Sequence, residues 1–593
     1  MVFKVCFWPN ENYYPMLMGW VLVRVQVRSL FTYGRKDKKM SVYAKSLKPS
    51  VKPQTEKQDK KQKKNNAGGY TFRVSDWDAL DRFLVLGCEG GTYYVKEDKA
   101  IKKSVKCLGK CVQEDYKRTA DLIESTSLSG RAIKNDPAIF CLAIMASDEN
   151  PEVRNYALSK LNAVCRIGTH LFQFVEAVNE LRGWGTGLRE AVSNWYLAKS
   201  NDKLAYQLTK YKQRDGWSHR DVLRLAHPKP DSEERNELFR YAVSGKVMSA
   251  EEYQWEKQKK DVEVRGKRSN AVVVDEIQSY EPLNKYLQAV EELKTAKESR
   301  QIELIKQYSM PWEVLPTESL NSVKVWEALL QDMPMTAMIR NLGKMSSIGL
   351  LKPLSQNEKI VKEALLNEDN LKKARLHPFS LLLAHKNYGM GRGFRGSLSW
   401  SVNHSIVAAL EDAYYLAFNY VEPAKKNFLF GIDVSWSMSA AINNTNIRCC
   451  EAAACLAMTS IRTEPNTYAH GFCHQFVDLG INKNDSLNKV VEKVQRANFG
   501  GTDCALPMVY ATKNNLDVDA FVVLTDNETW YGSIHPHTAL EQYRQRSGKN
   551  AKLIVVGMTG GRQTIADPDD PLQIDISGFD ANCPQIISEI AKQ

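Results

Sequence analysis

The chain has no CxxC pair, no HExxH and no Walker A loop, which removes the usual zinc-structural, zinc-protease and nucleotide-hydrolase readings at once. Its twelve cysteines form no even, short-spaced framework, and several, such as Cys141 and Cys455, fall inside apolar helical runs, so reduced core residues of an intracellular protein are expected. Cys107 and Cys111 stand four apart, on one helix face, without a His or Cys partner at finger spacing. Long apolar runs are missing too: Met16 to Val23 is too short to span a bilayer and lacks a signal-peptide cleavage pattern. The aromatic, Pro-containing start fits a mitochondrial presequence poorly, so a cytoplasmic protein with some nuclear presence, and no membrane partner, is expected.

What is present is a length of 593 residues, enough for two or more domains, and 43% apolar composition, ample for packed cores. The net charge of +12 is uneven: residues 1–66 carry +11, residues 67–420 carry +5 and residues 421–593 carry −4. Residues 1–34 read as an apolar, aromatic extension outside the fold, with Met40 an alternative start, and the Lys/Gln-rich stretch Arg35 to Asn66 reads as a disordered tail. Such a tail either adds salt-sensitive, sequence-blind attraction to RNA or only solubilises the chain.

Five residues of the last third describe an oxygen-only cradle: Asp433, Ser435 and Ser437 in Asp-Val-Ser-Trp-Ser, Thr502 in Gly-Gly-Thr-Asp, and Asp526 in Leu-Thr-Asp. A hard cation that keeps several waters needs only hydroxyls and one or two carboxylates, so a divalent metal, with Mg²⁺ first and Mn²⁺ or Ca²⁺ as alternatives, is the expected cofactor. Both carboxylates close apolar strand-like runs, Asn427 to Asp433 and Asp519 to Asp526, where open α/β sheets bind ligands. A helical run over Arg448 to Thr463 and a further buried strand over Ala551 to Met558 predict a doubly wound sheet. The set resembles the von Willebrand factor A-type domain and its metal-ion-dependent adhesion site. That resemblance implies direct ligation by the three hydroxyls and a partly water-mediated role for the two aspartates.

From Tyr70 to Val421 the pattern is a succession of amphipathic helices, including Asp136 to Ala146, Pro151 to Val164, Tyr286 to Lys297 and Val323 to Leu342. Helix after short loop over some 350 residues predicts stacked helical hairpins, although no clean repeat period emerges. Within them, Lys210 to Leu225 concentrates Lys210, Lys212, Arg214, Trp217, His219, Arg220 and Arg224. Ser218 and Asp221 have capping-box spacing and Trp217 with Val222 a hydrophobic-staple spacing, which puts His219 and Arg220 in the first turn of a helix. A helix N-terminus with added cations and a protonatable His is a phosphate site in outline, with Tyr211 and Trp217 available to stack on bases; an ordinary solvated basic turn with a core Trp is the alternative. Arg166 and His170 form a weaker second candidate on the same reasoning.

The blocks Glu89 to Tyr94, Val164 to Phe172, Lys210 to Leu225, Met333 to Met345, Ala374 to Phe379 and Thr564 to Asp570 occur in order over roughly residues 70 to 590, and in them the chain resembles the TROVE-module family of Ro ribonucleoproteins. The resemblance implies a ring of HEAT-like helices over 70–424, preceded by leader and tail over 1–69 and followed by the A-type domain over 425–593. It implies binding of small noncoding Y RNAs on a basic outer face and of single-stranded 3′ ends of misfolded RNAs in the central hole, by a monomer per RNA, with the contact segment on Lys210 to Arg224 and His219 foremost. The first 66 residues, and Arg265 to Val274, stand outside the resemblance.

Other motifs point elsewhere and carry less. Gly391 to Gly396 satisfies GxGxxG but follows a helical run and lacks the strand–turn–helix context of a dinucleotide site. Gly500 and Gly501 have no following Lys-Ser/Thr, and are expected instead to let Thr502 approach the metal. Cys473 and His474 adjoin in a strand-like run and are expected on opposite faces. A noncatalytic RNA-binding protein is the first expectation, with no DNA partner. A protein adhesion module, in which a partner's carboxylate completes the metal shell and Trp436 touches it, is the second. A two-metal nuclease lacks its second carboxylate cluster.

Overall fold

The computed structural model describes residues 51–247, 284–418, 422–497 and 500–593. The expectations for the apolar extension, for Met40, for Arg35 to Ser50 of the tail and for Arg265 to Val274 lie outside the described residues.

Eleven strands occur among the described residues, and six build the C-terminal sheet in the order β11-β9-β8-β5-β6-β7: β5 (Asn427–Asp433), β6 (Asn466–Phe472), β7 (Phe476–Val477), β8 (Ala520–Thr525), β9 (Lys552–Gly557) and β11 (Gln573–Ser577). The central strands pair in parallel, with Phe430 opposite Ala469 and Val522, so their side chains meet helices on both faces and their sequences read as continuous apolar runs. Helices Cys449–Thr463, Leu487–Gln495 and Cys583–Lys592 share a core with Phe428, Phe430 and Ile432 on one face; Leu506–Lys513 and Pro536–Ser547 pack with Leu429 and Phe521 on the other. The doubly wound expectation holds with one change: β7 runs antiparallel to β6, so the sheet is mixed. The hairpin between them is too tight for a parallel crossover.

Ahead of the sheet the chain is helical. Helices Asp136–Ala146 and Lys285–Thr295 fall where the periodicity predicts them. Val323 to Leu342 is two helices, Val323–Gln331 and Met335–Ser347, because Pro334 has no N–H to continue the first and disfavours helical backbone at Met333. The core of helices 285–418 is continuous with that under the sheet: Leu381, Leu410 and Tyr414 belong to the same buried cluster as Phe430 and Cys455.

The tail departs most from expectation. From Val51 it is a strap laid over the C-terminal domain. Gln54 is fully buried, and its backbone N–H donates to the Gly532 carbonyl at 2.9 Å. β1 (Lys63–Lys64) pairs with β2 (Tyr70–Arg73), and β2 pairs antiparallel with β10 (Gln563–Thr564), Phe72 facing Thr564. Gly69 is required there, since a Cβ would overlap the Thr529 carbonyl oxygen. A boundary at 69/70 therefore cuts through one sheet. Composition fails here because the strap is held by amide hydrogen bonds and not by apolar burial. Beyond it, Arg82 pairs with Asp575, and Arg131 with Asp81 and Asp580, tying the first helices to the last strand and the turn after it.

Candidate functional site

The cradle residues converge as the spacing predicts. Asp433 ends β5, Asp526 follows β8, and Asp433, Ser435, Ser437, Thr502 and Asp526 are all buried. Ser435 Oγ lies 3.2 Å from Ser437 Oγ, close to the roughly 3 Å that separates adjacent oxygens on an octahedral cation with 2.0–2.1 Å bonds. Asp433 accepts from the Ser435 N–H at 2.9 Å and from the Thr525 hydroxyl at 2.6 Å, so its oxygens are oriented from behind. Burial and the neighbouring Asp526 push the Asp433 carboxyl up, and burial raises Asp526. Two desolvated carboxylates with the Ser435 and Ser437 hydroxyls bonded to them, and no cationic side chain bonded to either among the described residues, are a donor set that fits a hard divalent cation. No cluster of three or more His, Cys, Asp or Glu at metal-binding distance occurs among the described residues, which argues against a softer site.

Each cradle loop is braced. Trp436 N–H donates to the Gly500 carbonyl at 3.2 Å, and the Thr502 carbonyl accepts from Trp530 and Tyr531, each at 3.0 Å. A Cβ at Gly500 would overlap the His474 ring, so that glycine serves close packing against His474.

The strap's part in this is invisible in composition and spacing. Gln54 Nε2 donates to Asp503 Oδ1 at 2.7 Å and to the Ile534 carbonyl at 2.8 Å, while its Oε1 accepts from Thr529 Oγ1. Asn66 and Ala67 N–H groups donate to Glu528 at 2.7 and 3.2 Å. Glu528 was overlooked as a third acid; burial and Asp526 push it up to about 7. Its position two residues after Asp526 was the available signal.

The basic segment folds as predicted but its leading residue does not serve as predicted. β3 (Gln213–Arg214) and β4 (Trp217–Ser218) form a hairpin feeding the helix His219–Ala226, with the Ser218–Asp221 capping box in place. His219 is 3% exposed, its Nδ1 2.8 Å from the Tyr196 hydroxyl and its ring edge-on to Phe172 at 4.8 Å. Burial holds its pKa down to about 3, so it is a neutral core imidazole and not a phosphate-binding cation. An amphipathic ring at the first turn of a helix can face either way, and the apolar cage of Phe172, Trp195 and Tyr196 takes it inward.

Two more expected contacts are similarly engaged. Trp217 is half-buried, bonded to Glu176 and set against Trp184, and Lys210 donates to the Tyr206 hydroxyl at 2.9 Å. Lys212, Arg214, Arg220 and Arg224 are exposed, and among the described residues only Arg214 of these meets an acid, its neighbour Asp215. Arg166 donates to Ser127 Oγ at 2.8 Å, and burial and then Arg375 push its pKa down; His170, 3.3 Å from the Asn135 amide, is pushed down to about 4 by burial and then by Arg166. Half-buried Arg166 thus stands near the exposed Arg375 and beside a His170 held neutral, with Arg375 unmarked in the sequence.

Cys473 and His474 lie in the bend after β6 and not in the strand, with Sγ 3.4 Å from Nδ1, because strand alternation ends at Phe472. Burial raises the Cys473 thiol, the wrong direction for a nucleophile. Cys107 and Cys111 are buried thiols raised by burial, and no disulfide occurs among the described residues.

Fold and cradle together define a helical module joined to a von Willebrand A-type domain. Residues 63–389 match the family model TROVE domain, and residues 427–591 match Ro60 vWA domain. The chain is 36% identical over 576 residues, 89% of each chain, to the RNA-binding protein RO60 of Caenorhabditis elegans. It is 38% identical over 533 residues, 89% of this chain and 95% of the relative, to the RNA-binding protein RO60 of Deinococcus radiodurans. The solved crystal structure of the Deinococcus radiodurans RO (RSR) protein aligns with a TM-score of 0.62 at 36% identity, covering 87% of this chain and 99% of that one. The chain belongs to the Ro60 family of TROVE-domain proteins.

Proposed function

We infer that this chain is a noncatalytic RNA-binding protein that holds small structured noncoding RNAs of the Y type on a basic face and takes single-stranded ends of misfolded RNAs within its helical module. The observation that carries the reading is the array Lys212, Arg214, Arg220 and Arg224, exposed on one hairpin and the helix it feeds. Four exposed cations fixed on a short rigid element give the phosphate attraction that dominates such affinity. The relatives' naming as RNA-binding proteins supports it. His219 acts from beneath, seating the helix N-terminus, so its replacement loosens the face without removing a charge. Measuring affinity for a small structured RNA across a salt series, in the wild type and in a Lys212→Ala/Arg220→Ala/Arg224→Ala variant, tests this; unchanged affinity at physiological salt sinks it.

A second reading concerns the metal loop. Trp436 and Tyr531 are 55% and 54% exposed beside the cradle, an uncommon exposure for such large rings, and fit a partner protein whose carboxylate completes the Mg²⁺ shell. Asp433→Ala would then abolish Mg²⁺-dependent capture of that partner and leave RNA affinity intact.

A further inference from the structure

Between the first helices and the C-terminal domain lies a cavity of about 200 Å³ that the basic hairpin face does not touch and the cradle meets at one end only. Its walls are the loop 87–95, the helix Glu97–Ser129, the loop 440–443 and the segment 558–563. The first of these loops is stiff: the Thr92 N–H donates to the Val95 carbonyl at 2.8 Å, and the Val95 N–H donates back to Thr92 Oγ1 at 3.1 Å. A Cβ at Gly91, whose φ is +71°, would come within 2.5 Å of that same carbonyl oxygen, so only glycine closes the loop. The cavity is therefore held open by the fold itself.

Much of the lining is apolar, with Leu86, Val95, Ile442 and Met558 all buried there. Two cations among the lining residues have charge that is not fully met. Lys103 is half-buried and makes no hydrogen bond or ion pair to another described residue. Burial, and then Lys99, hold its ammonium below the ordinary lysine value in spite of Glu528, as expected of a cation short of counter-charge. Arg562 Nη1 pairs with Asp76 at 2.9 Å, but its Nε is buried with no hydrogen-bond partner among the described residues. An orphaned buried N–H is costly and calls for an acceptor. The acids of the lining are engaged elsewhere: Glu89 with Lys134, Glu528 with the Asn66 and Ala67 N–H groups, and Asp526 with the cradle and the Glu528 N–H.

An apolar cavity lined by an unpaired ammonium and an orphaned guanidinium N–H suits a short apolar body with one anionic head. The volume lies below the ~300–1,000 Å³ of sites for drug-sized ligands. An apolar cavity of ~150 Å³ holds benzene, so about 200 Å³ has room for a molecule a third larger, roughly eight heavy atoms. We propose that this cavity binds a short-chain monocarboxylate, its chain against Leu86, Val95, Ile442 and Met558 and its carboxylate on Lys103 and Arg562 Nε. Inorganic phosphate matches the cations but gains nothing from the apolar lining. A cation in the cradle would also take a carboxylate, and the test separates all three.

The test titrates hexanoate, hexan-1-ol and inorganic phosphate into the full chain in metal-free buffer and reads affinity by calorimetry. Hexanoate should bind about tenfold or more tightly than either of the others, the size of one charge-assisted contact. Lys103→Gln should lower hexanoate affinity about tenfold and leave hexan-1-ol unchanged, while Lys103→Arg should keep both. Ala100→Phe, which fills the cavity from the helix Glu97–Ser129, should abolish binding of both, with the melting temperature reporting that the variant is folded. Hexanoate affinity unchanged in Lys103→Gln overturns the proposal, as does phosphate binding as tightly as hexanoate. So does hexanoate binding that requires Mg²⁺ and is lost in Asp433→Ala, since the carboxylate would then sit on the cation in the cradle.

Discussion

Gln54→Ala should loosen the metal cradle from a distance of one residue, although Gln54 touches no ligand oxygen. Its amide makes three bonds, to Asp503, to the Ile534 carbonyl and from Thr529, in a site where Gln54 and Thr529 are fully buried and Asp503 is 8% exposed. A neutral hydrogen bond nets about 1 kcal/mol and one to a charged group about 1.5–3 kcal/mol, so the three together hold the loop by roughly 4 kcal/mol. Each 1.4 kcal/mol is about tenfold in an opening equilibrium, so amide-exchange protection across 500–505 and 526–535 should fall by up to about a thousandfold, short of the limit set by opening of the whole domain. Mg²⁺ affinity, read by calorimetry, should fall with it, since Thr502 adjoins Asp503. Gln54→Glu sharpens the test, because it keeps the shape but sets a carboxylate against Asp503, whose own pKa burial raises to about 6. The two acids can share a proton below that pH, so the damage should be present at pH 8 and fade as pH falls through 6. Protection unchanged within twofold in Gln54→Ala, or a Gln54→Glu defect independent of pH, would refute the reasoning.

Asp433→Ala should erase the Mg²⁺-dependent rise in melting temperature while RNA affinity stays within twofold; a parallel fall in RNA affinity would show that the two surfaces are coupled. Lys212→Ala, Arg220→Ala and Arg224→Ala should each weaken RNA binding regardless of sequence and lower the slope of log affinity against log salt by about one. His219, with its folded pKa depressed to about 3 against an ordinary 6.5, binds no proton in the native state, so its stability contribution is complete above pH 6.5 and is lost as pH falls toward 3. That loss is about 2 kcal/mol at pH 5. Denaturant melts at pH 5 and pH 7.5 should therefore show a smaller pH difference in His219→Phe than in the wild type, and an equal difference would be evidence against a neutral core imidazole.

The cradle was legible because much of its chemistry is local: Asp433 and Asp526 sit at strand ends that apolar runs announce, with Ser435 and Ser437 in the loop after the first, and Asn427–Asp433 is bounded in the structure as it is in the sequence. The capping box at Ser218 was legible for the same reason, since its two partners are three residues apart. The direction of His219 was not, because it depends on Phe172, Trp195 and Tyr196, which come from two other helices. The strap was least legible. Its stabilisation comes from amide side chains meeting hydrogen-bond partners some 450 residues away, and composition-based reasoning counts a Gln as polar without asking whether its donors and acceptors can all be met. Pro334 was visible in the sequence, yet the amphipathic period continues across it and hid the break.

The cradle's charge makes its metal response depend on pH in a calculable sense. Glu528 stands two residues from Asp526 of the cradle and is pushed up to about 7, because burial and the Asp526 charge both oppose its ionisation. Asp433 and Asp526 are raised by the same causes. A carboxyl raised in the fold binds protons that the unfolded chain has already released, so between about pH 4 and pH 7 the metal-free protein loses stability as pH rises. For Glu528 alone the cost approaches roughly 3 kcal/mol by pH 8. A divalent cation in the cradle supplies the missing counter-charge, removes that penalty and competes with protons for the same oxygens. Saturating Mg²⁺ should therefore raise the melting temperature more at pH 8 than at pH 5.5, and Glu528→Gln should raise the metal-free melting temperature at pH 8 while shrinking the Mg²⁺ increment. A Mg²⁺ increment equal at the two pH values would mean that the three acids are not the charges the cation neutralises.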